Sequence, residues 1–269
     1  MNTNLQLSSE LPIEVPSFTC TEFRPRGNDY CLIIPVLNEG ERIHSQLEKI
    51  HGLNLPCDVI LVDGSSTDGS ICLDRLQEHG LRACLIKTGG GKLSAQLRVG
   101  LFYAVNEGYE GFVLMDGNNK DNPASIPAFI AALKQGYDNI QGSRFLPGGK
   151  HINTPFMRLW GIRILHAPLI SIAAGFHYTD TTNGFKAFSR RLVTHPQMQL
   201  FRNVFDSYEL HTYVAIRSAR INLRLLEIPV ERVYPKGKVP TKITKLRGTL
   251  LMLSILTLGC LHRYDPPRM

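Results

Sequence analysis

The sequence predicts an α/β fold with a mostly parallel central sheet and helices on both faces, and three observations predict it. Up to Gly142, short β-branched runs alternate with segments of helical periodicity. Glu39, Asp63 and Asp116 each fall just past the carboxyl end of a predicted strand, where open parallel sheets hold their ligands. Phe112–Asp121 runs from an apolar strand directly into a cluster of carboxylates and amides.

The elements follow in order. Tyr30–Val36 is an apolar strand, and Gly40–Ile50 has helical spacing through Ile43, Leu47 and Ile50. Cys57–Val62 is a second strand. The polar run Asp63–Asp68 then turns the chain and caps a helix over Gly69–His79. Ala83–Lys87 is a third strand, and Lys92–Asn106 a helix with Leu93, Leu97, Leu101 and Val105 on one stripe. Phe112–Met115 is the fourth strand, Ile126–Leu133 a helix and Asn139–Gly142 a short strand. Arg158–Ala174 reads as an apolar helix that Pro168 must kink or break. Tyr178–Phe188 reads as a polar loop, Ser207–Ser218 as a helix, Ile221–Val230 as a strand and Arg232–Lys238 as a flexible basic loop.

With 269 residues, 43% hydrophobic and 20% charged, the chain can bury a full core. Residues 1–29 are expected to be an irregular lead-in without the pattern of a secretory signal, and 30–247 the folded domain. Residues 248–269 form an apolar tail. Its run Gly248–Leu261 is shorter than the ~20 residues that span a bilayer. No transmembrane segment is therefore expected. The tail, preceded by Lys242, Lys245 and Arg247, suits either an interfacial helix or packing on the core. Cys20, Cys31, Cys57, Cys72, Cys84 and Cys260 show no paired metal-ligand spacing and read as thiols in a reducing compartment.

Charge is unevenly placed. Residues 186–269 hold 15 Lys and Arg against 5 Asp and Glu, which leaves a net charge of −3 for the first 185. Such a basic third suits an anionic partner, phosphate or acidic lipid. Trp160 is the only tryptophan and makes no stacking platform, so nucleic acid is not the expected partner. His177, His195 and His211 are scattered singles that read as packing residues.

Four motifs fall in order: Ile34-Pro35-Val36-Leu37-Asn38-Glu39, Val62-Asp63-Gly64-Ser65-Ser66-Thr67-Asp68-Gly69, Met115-Asp116-Gly117-Asn118 and Gly142-Ser143-Arg144-Phe145. Together they resemble the family 2 glycosyltransferases of GT-A fold, especially the dolichyl-phosphate mannose synthase-like branch, over roughly residues 30–247. The resemblance implies an inverting enzyme that takes a sugar from a nucleotide diphosphate sugar. It implies Pro35, Glu39 and Asp63 in the nucleoside pocket, with Lys92 beside the donor after the glycine-rich Thr88–Gly91. It implies Asp116 on a divalent metal and Arg144 near phosphates. Asp180, at the start of an acceptor-side loop, and Glu209 in the following helix complete the candidate catalytic groups. Arg232, Lys236 and Lys238 (or Lys242) resemble a basic loop over donor and acceptor phosphates.

Two departures matter. Asn118 stands where the family has a second aspartate, and Lys120 where some members offer another oxygen ligand. Asn118 can still donate a carbonyl oxygen to Mg²⁺ or Mn²⁺, so a weak metal site on Asp116 and Asn118 is expected. The alternative is that Lys120 and Arg144 partly replace the metal. An acceptor hydroxyl would need Asp180 or Glu209 as base, whereas a polyprenyl phosphate is already anionic. The acceptor is thus a polyprenyl phosphate or a cell-surface glycan precursor, with the enzyme cytoplasmic and peripheral on the membrane face. Sugar-phosphate nucleotidyl transfer and non-catalytic nucleotide-sugar binding are the competing functions.

Overall fold

The computed structural model describes residues 13–235 and 245–267. The chain begins with β1 (Phe18–Glu22), β2 (Tyr30–Val36), α1 (Glu41–Gly52), β3 (Asp58–Asp63), α2 (Leu73–Glu78), β4 (Ala83–Lys87), α3 (Leu93–Asn106) and β5 (Gly111–Leu114). Strands β3 and β5 are buried along their whole length, as continuous Val, Ile and Leu runs require when both faces of a sheet are covered. Next come α4 (Ile126–Lys134), β6 (Asn139–Ser143) and β7 (Lys150–Ile152). A long helix follows in three parts: α5 (Phe156–Trp160), a π-helical turn Gly161–His166, and α6 (Ala167–Ala174). The remainder is β8 (Lys186–Ser189), α7 (Arg190–Val193), α8 (Glu209–Arg220), β9 (Leu225–Pro229), β10 (Glu231–Val233) and α9 (Lys245–Cys260).

The main sheet has the order β1-β4-β3-β2-β5-β8-β6-β9. Pairs β2–β3, β3–β4, β2–β5 and β6–β9 are parallel, whereas β1 and β8 run antiparallel to their neighbours. Strands β7 and β10 form a separate parallel pair. The sheet is mostly parallel, as expected. One face packs against α1, α2 and α4 through Ile43, Leu47, Leu76, Phe129 and Ile130. The other packs against α3 and α8 through Leu97, Leu101, Tyr213 and Val214.

Several expectations need correction. The lead-in contains a strand: β1 lies antiparallel on β4 and covers that edge of the sheet. The second helix starts at Leu73, not Gly69. The Asp68 carboxylate accepts from Ser70 N and Oγ and closes a turn, leaving α2 without a side-chain cap. Pro168 does not break its helix, because the wider π turn just before it accommodates a residue that lacks an N–H. Lys186–Ser189 is strand β8 between β5 and β6, not loop. The Ile221–Val230 strand contracts to β9, and Glu231–Val233 of the basic loop is strand β10. Lys236, Lys238 and Lys242 lie outside the described residues.

The apolar run considered too short to span was not the longest helix of that kind. Phe156–Ala174, at 19 residues, is long and apolar enough by length and composition to cross a membrane. Its inner face, Ile162, Ala167, Ile170 and Ala174, is buried, whereas Phe156, Met157, Trp160, Ile164 and Ile172 are exposed. Helix α9 is similarly divided. Ile255 and Leu256 are buried, and Leu250, Leu253 and Leu258 are exposed.

Helix α3 comes closest to the sheet at Gly100, where a Cβ would lie 2.7 Å from Ile33 Cγ2 and 2.9 Å from Val62 Cγ2. Those methyls sit on β-branched side chains with no room to retreat. Gly100→Val should lower the unfolding free energy by about 1–3 kcal/mol in urea denaturation. An unchanged midpoint would show that helix and sheet have room for the larger side chain at Gly100.

Candidate active site

Parallel register brings the predicted strand ends together. Asp63 is the register partner of Val36, and Gly117 N bonds Pro35 O at 3.3 Å. Pro35, Asp63 and Asp116 therefore stand at the ends of three adjacent strands. Gln96 fastens two of them by donating to Val36 O (2.8 Å) and Val62 O (3.0 Å). Gln46 holds the third, donating to Asp116 O (3.0 Å) and accepting from Asn119 N (2.7 Å).

Beyond β2 and β3 the two loops are laced to each other. Ser70 Oγ accepts from Glu39 N and Gly40 N, both at 2.8 Å, and Asn38 Oδ1 accepts from Thr67 N at 2.9 Å. Asn38, Ser65 and Asn119 all have positive φ, a concentration of unusual backbone at the mouth of the sheet. Asp63 is buried and accepts from Ser66 N and Oγ; Glu39 is ion-paired to Arg42 at 2.7 Å. Lys92 is exposed, and its backbone N–H is taken by Asp206 O. The carbonyls of Gly89 and Gly90 face Lys87 Nζ. The N–H groups of Thr88 and Gly89 are likewise taken, both by Ser17 O.

The second half of the site is a buried network of ions. Arg144, at the end of β6, grips Asp180 through two parallel bonds, Nε–Oδ2 at 2.6 Å and Nη2–Oδ1 at 2.9 Å. Burial opposes the charge of Arg144, but the Asp180 carboxylate outweighs it and holds the guanidinium above its ordinary value. Both Asp180 oxygens are thus engaged by the guanidinium. Glu209, at the start of α8, accepts from Ser207 N at 2.7 Å through Oε2.

Arg232 does not lie in a flexible loop. It is buried and bridges two carboxylates, Asp116 Oδ2 at 3.0 Å and Asp121 Oδ2 in a short bond. Burial alone would raise the Asp116 carboxyl, but the Arg232 guanidinium outweighs it and holds Asp116 below the usual carboxylate range. At Asp121 burial wins and the carboxyl is raised. Tyr234 stands beside them, its hydroxyl accepting from Arg158 Nη1 (3.1 Å) and Arg144 Nη1 (3.4 Å). The Lys120 ammonium lies 5.2 Å from its ring centre. Burial would raise the Tyr234 phenol, but Arg232, Arg158 and Arg144 together lower it. Burial, with Arg232 adding, lowers Lys120.

Asp121, Arg158, Tyr234 and Lys186 belong to none of the four sequence motifs, and His211 reads from the sequence as a packing residue. Arg158 did leave a signal, a charge inside an apolar helix. Asp121 sat within the carboxylate-rich segment but outside every motif. Lys186 is buried, donates to Gln141 Oε1, and burial pushes it down to about 8. His211, read as a packing single, lies in the field of Asp116; burial, with Lys186 adding, pushes it down to about 3. It is a neutral imidazole with a buried, unpartnered Nδ1.

Residues 31–195, more than half of the chain, match the family described as Glycosyl transferase family 2. The undecaprenyl-phosphate mannosyltransferase of Micrococcus luteus is 29% identical over 212 residues, covering 77% of this chain and 86% of that one. The polyprenol monophosphomannose synthase of Mycolicibacterium smegmatis is 26% identical over 166 residues, covering 60% of this chain and 62% of that one. Among solved structures, glucosyl-3-phosphoglycerate synthase from Mycobacterium tuberculosis, in complex with Mn²⁺, UDP and phosphoglyceric acid, superposes with a TM-score of 0.65. At 18% identity, covering 90% of this chain and 80% of that one, this is a likeness of fold.

Because the Arg144–Asp180 pair is fully buried, Asp180→Asn should cost about 3–5 kcal/mol of unfolding free energy, read by urea denaturation. If the variant unfolded at the wild-type midpoint, the pair would not be the structural anchor described.

Proposed function

The chain belongs to the family 2 glycosyl transferases, and from that premise we propose that it moves a sugar, with inversion, from a nucleotide diphosphate sugar to a polyprenyl phosphate. One observation carries this reading: Lys120, Arg144, Arg158 and Arg232 converge on Tyr234 where the exposed apolar helix begins. A cluster that cationic suits phosphate oxygens, and its place at the foot of an apolar helix suits a phosphate carried on a lipid. The hold of Arg144 on both Asp180 oxygens, and of Ser207 N on one Glu209 oxygen, agrees. An acceptor that is already anionic needs neither as a base. The names of the relatives from Micrococcus luteus and Mycolicibacterium smegmatis point the same way.

In this reading Pro35, Glu39 and Asp63 face the nucleoside, a carboxylate accepting from base N–H or ribose hydroxyl. The remaining demand is charge: cleaving the bond from sugar C1 to the diphosphate leaves negative charge on the departing oxygens. Lys120 and Arg232 stand beside Asp116 to meet it, and Arg144 and Arg158 hold the acceptor phosphate behind C1. Lys236 and Lys238 follow β10 in sequence and would add to the phosphate contacts.

A divalent cation fits the oxygen-rich part of the site. Asn118 Oδ1 and His211 Nδ1 are buried without partners, and both belong to the surroundings of Asp116. Among the described residues no three His, Cys, Asp or Glu side chains form a ready-made metal cluster. Asp116 and Asn118, with His211 beside them, would therefore hold Mg²⁺ or Mn²⁺ weakly, donor phosphates completing the shell. The cation would supply charge neutralisation at the leaving diphosphate.

Given a panel of nucleotide sugars, the protein should release nucleoside diphosphate when polyprenyl phosphate is added in detergent, and not with a sugar hydroxyl acceptor. Chelator should lower that turnover strongly, and Mg²⁺ or Mn²⁺ should restore it. Pyrophosphate release, or turnover only with hydroxyl acceptors, would overturn the assignment.

We also infer peripheral contact with a bilayer through the outer face of Phe156–Ala174 and of α9. Trp160 and Ile164 are 49% and 62% exposed. The paired change Trp160→Glu with Ile164→Glu should weaken sedimentation with anionic vesicles about tenfold or more. Wild-type sedimentation by the double variant would exclude this face.

A further inference from the structure

The Arg232 side chain occupies the carboxylate to which a metal would bind. Its Nη2 stands 3.0 Å from Asp116 Oδ2, and its Nη1 donates to Asp121 Oδ2 and, at 3.3 Å, to Asn183 Oδ1. Arg232 is 6% exposed and Asp121 4%. The backbone around them is lashed down: Val233 N bonds Lys120 O at 2.8 Å and Asn122 N bonds Glu231 O at 3.2 Å. Asp121 and Arg232 themselves form an antiparallel bridge. Only the guanidinium end of Arg232 has freedom to change partner. Asp121 Oδ1 and Asn118 Oδ1, both buried, are acceptors with nothing yet bound to them.

We propose that Arg232 is the internal counter-ion of Asp116, positioned by Asp121, and that it makes cation binding at Asp116 depend on the donor diphosphate. This rests on the metal-assisted reading above. Without donor, the guanidinium neutralises Asp116 and its charge repels an arriving divalent ion. With donor, the diphosphate offers Arg232 new anionic oxygens, so its Nη2 leaves Asp116 while Nη1 keeps Asp121. Asp116 then turns its freed oxygen to the cation. Asp121 is a positioning residue: it keeps the displaced arginine at the phosphates instead of releasing it to solvent. By linkage, the metal must strengthen nucleotide binding by the same factor as the nucleotide strengthens metal binding.

The test measures free Mn²⁺ by electron paramagnetic resonance, titrated into the full chain with and without UDP or GDP. Wild type should bind Mn²⁺ about tenfold more tightly with the nucleoside diphosphate it accepts than without. Arg232→Gln should bind Mn²⁺ alone about tenfold more tightly than wild type, with most of the nucleotide effect lost. Removing the arginine strands a buried Asp121, so the double variant Asp121→Asn with Arg232→Gln removes the pair as a unit and should behave likewise. Equal Mn²⁺ affinity of wild type and both variants without nucleotide would overturn the proposal and leave the metal reading standing. If none of these proteins bound Mn²⁺ even with nucleotide, the metal reading itself would fall, and this proposal with it.

Discussion

A guanidinium removed from water must meet an anion, and the Arg144–Asp180 pair is where this molecule satisfies that demand most completely. Side-chain exposure is 1% for Arg144 and 0% for Asp180. The pair ties the end of β6 to the 180–184 loop, and the loop then shapes everything next to it. Gly184 packs so closely that a Cβ would lie 2.5 Å from Asp116 Oδ1. Asn183, one residue earlier, accepts from Arg232. The central aspartate thus packs against a loop held by a contact between residues 36 positions apart in sequence. Breaking such a pair is costly because the surviving charge is left alone in a dry place.

Charge is arranged here in two layers. Carboxylates from the strand ends and loops, Asp116, Asp121 and Asp180, lie within, each matched to an arginine. Lys120 and Arg158 stand around Tyr234 without a carboxylate ion-pair partner among the described residues, and the phenol oxygen and ring face partly answer their charge. The Arg144–Asp180 pair holds the architecture, whereas Lys120, Arg158 and the Arg232 guanidinium that Asp121 positions are the groups able to turn to a ligand. That division explains how a site crowded with arginines can be both rigid and receptive. An acceptor that arrives as an anion needs no free base, which suits a site where Arg144 engages both Asp180 oxygens.

The departures from the family motif make sense in the same frame. Replacing the second aspartate by Asn118 and placing Lys120 nearby makes the region around Asp116 less negative, and Arg232 occupies the carboxylate that remains. In the proposed reading a site so neutralised would hold a cation poorly until phosphates arrive, whereas an all-carboxylate cage would hold one at all times. Meanwhile the apolar helix starting at Phe156 brings the exposed Arg158 to the Tyr234 hydroxyl through Nη1 and, within the same turn, leaves Trp160 exposed, the arrangement on which the proposed link between lipid and phosphate rests.

The amino-acid sequence by itself determined the α/β alternation, the positions along the chain of the strands at 30–36, 57–62, 83–87 and 112–115, and the placement of Glu39, Asp63 and Asp116 just beyond strand ends. These are local properties: hydrophobic period, β-branched runs and turn residues act within a few positions of one another. It also carried the family, through motifs that stay contiguous in the chain. Only tertiary structure decided the partners. Asp180 and Arg144, Arg232 and Asp121, and Tyr234 among three arginines are long-range contacts, and no periodicity encodes which buried charge will meet which. The same holds for β1 and β8, short strands whose pairing comes from the edges they meet, and for Pro168, tolerated by a π turn that its neighbours permit. Residue type states what a side chain can do; burial and company, set by the fold, determine which of those things remains available.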